Sequence, residues 1–145
     1  MKYLLDTNIC IALIRQKPTA LLQRLTSLQP DEVGISSITL AELSCGAAKS
    51  SHPEQNMSAL EQFILPLDLT DFDQKAARAY GQIRASLEHN GVVIGSMDML
   101  IAAHAISLNA ILVTNKPREF QRVHGSPGSS TGRGLVIEDW ISESK

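Results

Sequence analysis

The sequence predicts an α/β domain, a three-layer α/β/α sandwich around a mostly parallel central sheet of four to five strands. Three observations lead there. Short apolar runs that end on small polar residues alternate with segments of helical period, the pattern of strands joined by crossover helices. Hydrophobic residues make up 43% of the chain but aromatics only 4%, so the core is built from Leu, Ile, Val and Ala. One segment, "SMDMLIAAHAISL", is apolar nearly all round past Asp98, as a helix buried against a sheet should be. At 145 residues the chain is expected to form one domain, residues 1–145, and to bury about two-thirds of its unfolded surface.

The elements follow in order. "KYLLD" reads as a short buried strand, and "NICIALIRQ" as a helix that Pro18 stops. "TALLQRLTSL" is amphipathic, with Leu21, Leu22, Leu25 and Leu28 on one face. "VGISSIT" is a strand, and "LAELSCGAAKS" a helix with Thr39 as its expected cap. "EQNMSALEQFI" is helical, and "LDLTDFD" is a strand followed by a turn. The clearest helix runs from about Asp73 to His89. Asp73 caps it, Ala76, Tyr80, Ile83 and Leu87 form its stripe, and Asn90–Gly91 ends it. "AILVTN" is a strand, and "GLVIEDW" an edge strand. Between them "HGSPGSSTGRG" reads as a flexible Gly/Ser-rich loop at about 124–134.

Composition narrows the function. Thirteen Lys and Arg against fifteen Asp and Glu leave a net charge of −2, so any nucleic-acid affinity has to come from a local basic patch or from metal. Two cysteines, Cys10 and Cys45, do not make a disulfide framework and fit a reducing cytoplasm. No secretory pattern opens the chain, and no apolar run approaches the roughly 20 residues that span a bilayer, so no membrane partner is expected.

Ligands of parallel sheets gather at the carboxyl ends of the strands. Asp6 lies at one such end and Asn115 at another. Glu42 and Asp98 fall in the first turns of helices. Each acid has a plain structural role: Asp6 as an Asx-type turn, Thr39 and Glu42 as a capping box, Asp98 as a charge at a helix dipole. Should the three converge, those roles are insufficient. Two carboxylates ~4 Å apart repel by about 4 kcal/mol at an effective dielectric near 20. A hard divalent cation is the usual compensation, and Mg2+ or Mn2+ prefers carboxylate and water oxygens.

The segments "LLDTNICIALI", "ISSITLAEL", "YGQIRASLEHNGVVIG", "DMLIAAHA" and "LVTNKPREF", in this order, resemble the PIN-domain toxins of the VapC type, the ribonuclease half of bacterial VapBC toxin–antitoxin pairs. The resemblance runs from Lys2 to about Val123. It implies a PIN-like fold and a Mg2+-dependent endoribonuclease, with Mn2+ able to substitute. Asp6, Glu42 and Asp98 would be its catalytic, metal-binding acids. It implies a cytoplasmic homodimer neutralised by a VapB-type antitoxin, which reaches promoter DNA only through the antitoxin complex. It also implies an RNA substrate of the tRNA class, with the anticodon loop of initiator tRNA as the specific expectation. Hydrolysis would use metal-activated water and leave a 5′-phosphate. Family members often carry a further ligand in the loop after the fourth strand, where Asn115 and Glu119 both remain open. "HGSPGSSTGRG" is longer than the family leads one to expect, and its role is open.

Thr7, Asn8 and Thr114 are small polar groups suited to orienting carboxylates and waters. Lys116, Arg118, Arg122 and Arg133 form the best local basic cluster for RNA phosphates, with Arg84 and Arg78 second. His104 reads as a hydrogen-bonded core residue. Two alternatives stand beside the nuclease: a non-catalytic RNA- or partner-binding module, and a phosphohydrolase with Asp6 as nucleophile. The second is weak, because Asn8 occupies the place where haloacid-dehalogenase-like enzymes carry their second Asp. No glycine-rich loop follows the first strand, which disfavours dinucleotide binding.

Overall fold

A computed structural model of the chain describes residues 1–92, 94–123 and 134–141. The elements in chain order are β1 (Tyr3–Leu5), α1 (Thr7–Ile14), α2 (Thr19–Thr26), β2 (Val33–Ser36), α3 (Ser37–Lys49), α4 (Pro53–Ile64), β3 (Asp68–Thr70), α5 (Gln74–His89), α6 (Ser96–Leu108), β4 (Ile111–Val113), α7 (Pro117–Gln121) and β5 (Val136–Glu138). The five strands form one sheet in the order β3-β2-β1-β4-β5, and every pairing is parallel. Of the 124–134 loop expected from the sequence, only Gly134 lies within the described residues.

Side-chain alternation along the strands divides the interior in two. Leu4 and Leu112 point into a core with Ile83, Leu87, Ile101, Ile106 and Phe120, so α5, α6 and α7 cover one face. Tyr3, Leu5, Val33, Ile35 and Val113 point into the other core, with Ile9, Leu13, Leu21 and Leu60 from α1, α2 and α4. Strands buried on both faces need no polar alternation, which is why "YLL" reads as one apolar run. Trp140 is buried and packs edge-on against Tyr3, with ring centroids 5.3 Å apart.

α5 follows the sequence expectation closely. Asp73 accepts the Ala76 N–H at 3.0 Å, Ala76, Ala79, Ile83 and Leu87 are buried, and Gly91 takes φ +68° just past the end. α6 is buried from Ile101 to Ile106, and its alanines at 102, 103 and 105 are small enough to bring α5 and the sheet close.

One boundary differs from the sequence reading. Thr39 does not cap α3. The strand ends at Ser36, whose Oγ accepts the Ile38 N–H at 3.0 Å, and the helix starts at Ser37. Ser36 is held by two further constraints: it pairs with Thr70 of β3, and its Oγ lies 2.7 Å from Nδ1 of His104. The Thr39–Glu42 capping box is thereby lost, and Glu42 becomes the sixth residue of the helix.

His104 is fully buried, as expected of a core histidine. Because Ser36 Oγ already accepts from Ile38, its own proton can be donated to Nδ1 of a neutral ring. Burial lowers the His104 pKa, against the opposing pull of Asp73 and of the Asp71 carbonyl and carboxylate. The native protein thus binds fewer protons here than the unfolded chain does. Stability should be complete above the ordinary histidine pKa of about 6.5 and drain as pH falls below it, by at most about 1.4 kcal/mol per pH unit. Urea unfolding at pH 5.0, 6.0 and 7.5 checks this: the wild-type slope between 5 and 6.5 should flatten in His104→Gln.

Gly34 shows how closely the central strands meet. A Cβ there would stand 2.6 Å from the Asp68 carbonyl of β3 and 2.5 Å from Cε of Met1. Met1 can yield, but the β3 backbone cannot without loss of pairing. Gly34→Ala should therefore cost about 1–3 kcal/mol in urea unfolding.

Candidate active site at the carboxyl edge of the sheet

β1 is the central strand, and the chain leaves it toward β2 and β3 on one side before returning to β4 and β5 on the other. The crevice between the ends of β1 and β4 is the topological switch point, where ligands of open α/β sheets bind. Asp6 follows β1 directly. Its N–H donates to the Val113 carbonyl at 3.0 Å, which ties it to the end of β4. As N-cap of α1 it accepts the Ile9 N–H through Oδ1 at 2.9 Å.

Asp6 is only 2% exposed, and its Oδ2 has no hydrogen-bond partner among the described residues. Burial pushes its carboxyl above the ordinary range. The Thr114 hydroxyl, the Ile9 N–H and the Lys116 ammonium pull the other way, and Asp98 adds to the rise.

Asp98 comes to the crevice from the first turn of α6, whose N-cap is Gly95. Burial raises its pKa first. The nearby Lys116 cation lowers it, and Glu119 raises it again. Nζ of Lys116 lies 3.2 Å from Oδ2 and 3.5 Å from Oδ1 of Asp98. Glu119, in the first turn of α7, accepts the Gly95 N–H through Oε1 at 3.3 Å. Asp6, Asp98, Glu119 and Lys116 thus form one electrostatic group. The exposed Asn115 belongs to the same loop without a described contact to these acids.

Glu42 reaches the same edge by another route. Its Oε1 accepts the Thr7 hydroxyl at 2.5 Å, and the Thr7 and Thr39 hydroxyls lie 3.4 Å apart. Thr7 is the residue after Asp6, so Glu42 is connected to the switch point through a single side chain. Among the described residues, no three acidic, His or Cys side chains stand close enough to hold a metal as they are.

Other expected groups divide. Thr114 orients the loop after β4 by accepting the Lys116 N–H at 2.9 Å. Asn8 is exposed, as are Arg118 on α7 and Arg122 just past its end. Arg84 is engaged along its own helix, with Nε 2.8 Å from Glu88 and an N–H donated to the Tyr80 hydroxyl. Two features escaped the sequence reading. The Lys116–Asp98 ion pair joins residues 18 apart, and a backbone group, the Gly95 N–H, orients Glu119. Gly95 immediately before a helix start was the available signal for the latter.

The donor set fits a hard divalent cation. All its members are carboxylates, and one buried oxygen of Asp6 has no partner among the described residues. Side-chain nucleophiles are poorly placed. Cys10 is buried, and desolvation together with the Asp6 charge drives its thiol far above the ordinary range.

The pattern that defines the PIN domain matches residues 3–125. The "tRNA(fMet)-specific endonuclease VapC" of Shigella flexneri is 44% identical over 140 residues, covering 97% of this chain and 98% of that protein. The DNA-bound VapBC of Salmonella typhimurium contains a chain that superposes with a TM-score of 0.86 at 44% identity, over 97% of this chain and 98% of that one. VapBC2 of Rickettsia felis, bound to a DNA fragment from its promoter, gives 0.84 at 42%, over 97% and 99%. The chain belongs to the PIN-domain family, and within it to the VapC ribonucleases of toxin–antitoxin systems.

Proposed function

We propose that this ribonuclease hydrolyses RNA of the tRNA class at the β1–β4 crevice. Asp6, Asp98 and Glu42 are its metal-binding catalytic acids, and Glu119 is the further ligand. PIN-domain nucleases as a class depend on divalent metal. For this chain the ion is Mg2+, with Mn2+ able to substitute. The observation that carries the reading is the buried Asp6, with one oxygen unpartnered beside Asp98. A helix cap uses only one carboxylate oxygen, and the second stays buried without a hydrogen-bond partner among the described residues.

When bound, the cation supplies charge compensation at a phosphate oxygen and lowers the pKa of water. The protein's share is orientation. The Ile9 N–H fixes one Asp6 oxygen and leaves the other for the site. Thr7 holds Glu42, and the Gly95 N–H holds Glu119. Burial of Asp6 and half-burial of Asp98 limit competing water around the carboxylates. In this reading water is the attacking group, and the product carries a 5′-phosphate.

Specificity for initiator tRNA follows from the likeness to the Shigella flexneri enzyme and names the first substrate to test. The VapBC likenesses support a VapB-type antitoxin as partner, with promoter DNA reached through that complex. An apolar groove of about 320 Å3 beside Glu42, lined by Ile11, Ile14, Leu43 and Leu60, is a surface such a partner could cover. Among the described residues no helix is long and apolar enough to cross a membrane. We place the chain in the cytoplasm as a single-domain homodimer.

Purified protein incubated with initiator tRNA should cut it in Mg2+ and not in EDTA. Asp6→Asn and Asp98→Asn should each reduce cleavage at least about 100-fold, about 2.7 kcal/mol of barrier, with circular dichroism unchanged. Binding without any cutting by the wild type would favour a non-catalytic module instead.

Glu42→Gln separates chemistry from stability. Glutamine keeps an oxygen for the Thr7 hydroxyl, so unfolding free energy should change by less than about 1 kcal/mol while cleavage is lost. A variant that keeps full activity per folded molecule would remove Glu42 from the metal set.

A further inference from the structure

Without a metal, the carboxylates of the crevice still need a positive charge near them. The group that provides it is Lys116. Its ammonium lies within 3.5 Å of both oxygens of Asp98, and the charges of Asp6 and Glu119 act on it as well. Two features hold the base of this residue while leaving its tip free to move. Its N–H is bound to the Thr114 hydroxyl at 2.9 Å, and Pro117 follows it at the first position of α7. The side chain itself is 36% exposed, so the four-carbon stem can swing toward solvent without opening the core.

We propose that Lys116 is the resident counter-cation of this site: it occupies Asp98 while the site is metal-free and has to leave when a divalent cation binds. The proposal rests on the reading of Asp6 and Asp98 as metal ligands. The ammonium lies within 3.5 Å of both oxygens of Asp98, so a metal that takes Asp98 competes with that ion pair. Two cations on one carboxylate at that range repel each other. The intrinsic affinity of the carboxylates is therefore reduced by the cost of displacing Lys116, as in any competition with an intramolecular ligand.

The test is direct Mn2+ binding, followed by isothermal titration and by the loss of the free-ion electron paramagnetic resonance signal, with no RNA present. Lys116→Met should bind Mn2+ at least three-fold more tightly than the wild type, and Lys116→Arg, which keeps the charge, should stay near the wild type. In EDTA the Met variant should melt below the wild type, and saturating Mn2+ should raise its melting temperature by more than it raises that of the wild type. Equal or weaker Mn2+ binding by a folded Lys116→Met overturns the proposal while leaving the metal site standing. Binding by neither protein, or binding that persists in Asp6→Asn with Asp98→Asn, overturns the metal reading and this proposal together.

Discussion

A carboxylate buried at the end of the central strand is the constraint around which the rest of this structure is arranged. Removing a charge from water costs several kcal/mol unless hydrogen bonds and opposite charge replace the lost hydration. Asp6 recovers part of that through the Ile9 N–H, the start of α1 and the Lys116 cation. Asp98 close by makes the cost larger. The position cannot relax, because the Asp6 N–H bonds to the end of β4 and the chain is anchored by Leu5 just before it and Ile9 in the next turn, both fully buried. The sheet thus fixes a high-energy acid in place, and the surrounding groups are arranged to make it tolerable.

The parts that were legible in the sequence are those fixed by neighbours along the chain. α5 could be read from its cap, its stripe and its terminal Asn–Gly, because each signal acts within a turn or two of the helix. β1 and β2 could be read as central strands of a parallel sheet, since burial on both faces removes polar alternation. The β2–α3 boundary was not legible. Ser36, Ser37 and Thr39 are all competent caps, and the choice is made by Thr70 and His104, which are far away in sequence.

The same distinction holds in the site. Asp6, Asp98 and Glu42 stood out because they follow strand ends or begin helices. The structural role expected for Glu42 was nevertheless replaced, from a cap on its own helix to an acceptor for Thr7 at the start of another. Asn115 and Glu119 could not be separated by sequence, because they lie four residues apart around the start of α7 and their directions depend on how that helix is set. Only the Gly95 N–H, contributed by the loop before α6, distinguishes Glu119. Lys116 looked like one member of a basic cluster, and its pairing with Asp98 depends on how α6 and the β4 loop meet.

The location of the site follows from the strand order. β1 and β4 are hydrogen-bonded neighbours, but the chain departs from their ends into different layers. α1 packs Ile9 and Leu13 into one core, whereas α7 packs Phe120 into the other. A crevice has to open between two backbones that separate in this way. Glu42, held by Thr7, stands on the α1–α3 side of the sheet edge, and Asp98 and Glu119 on the α6–α7 side. Each group of acids is satisfied within its own layer, by a hydroxyl on one side and by a lysine and a backbone N–H on the other. A cation with several coordination positions is the kind of ligand that the proposed site would need to engage acids from both layers.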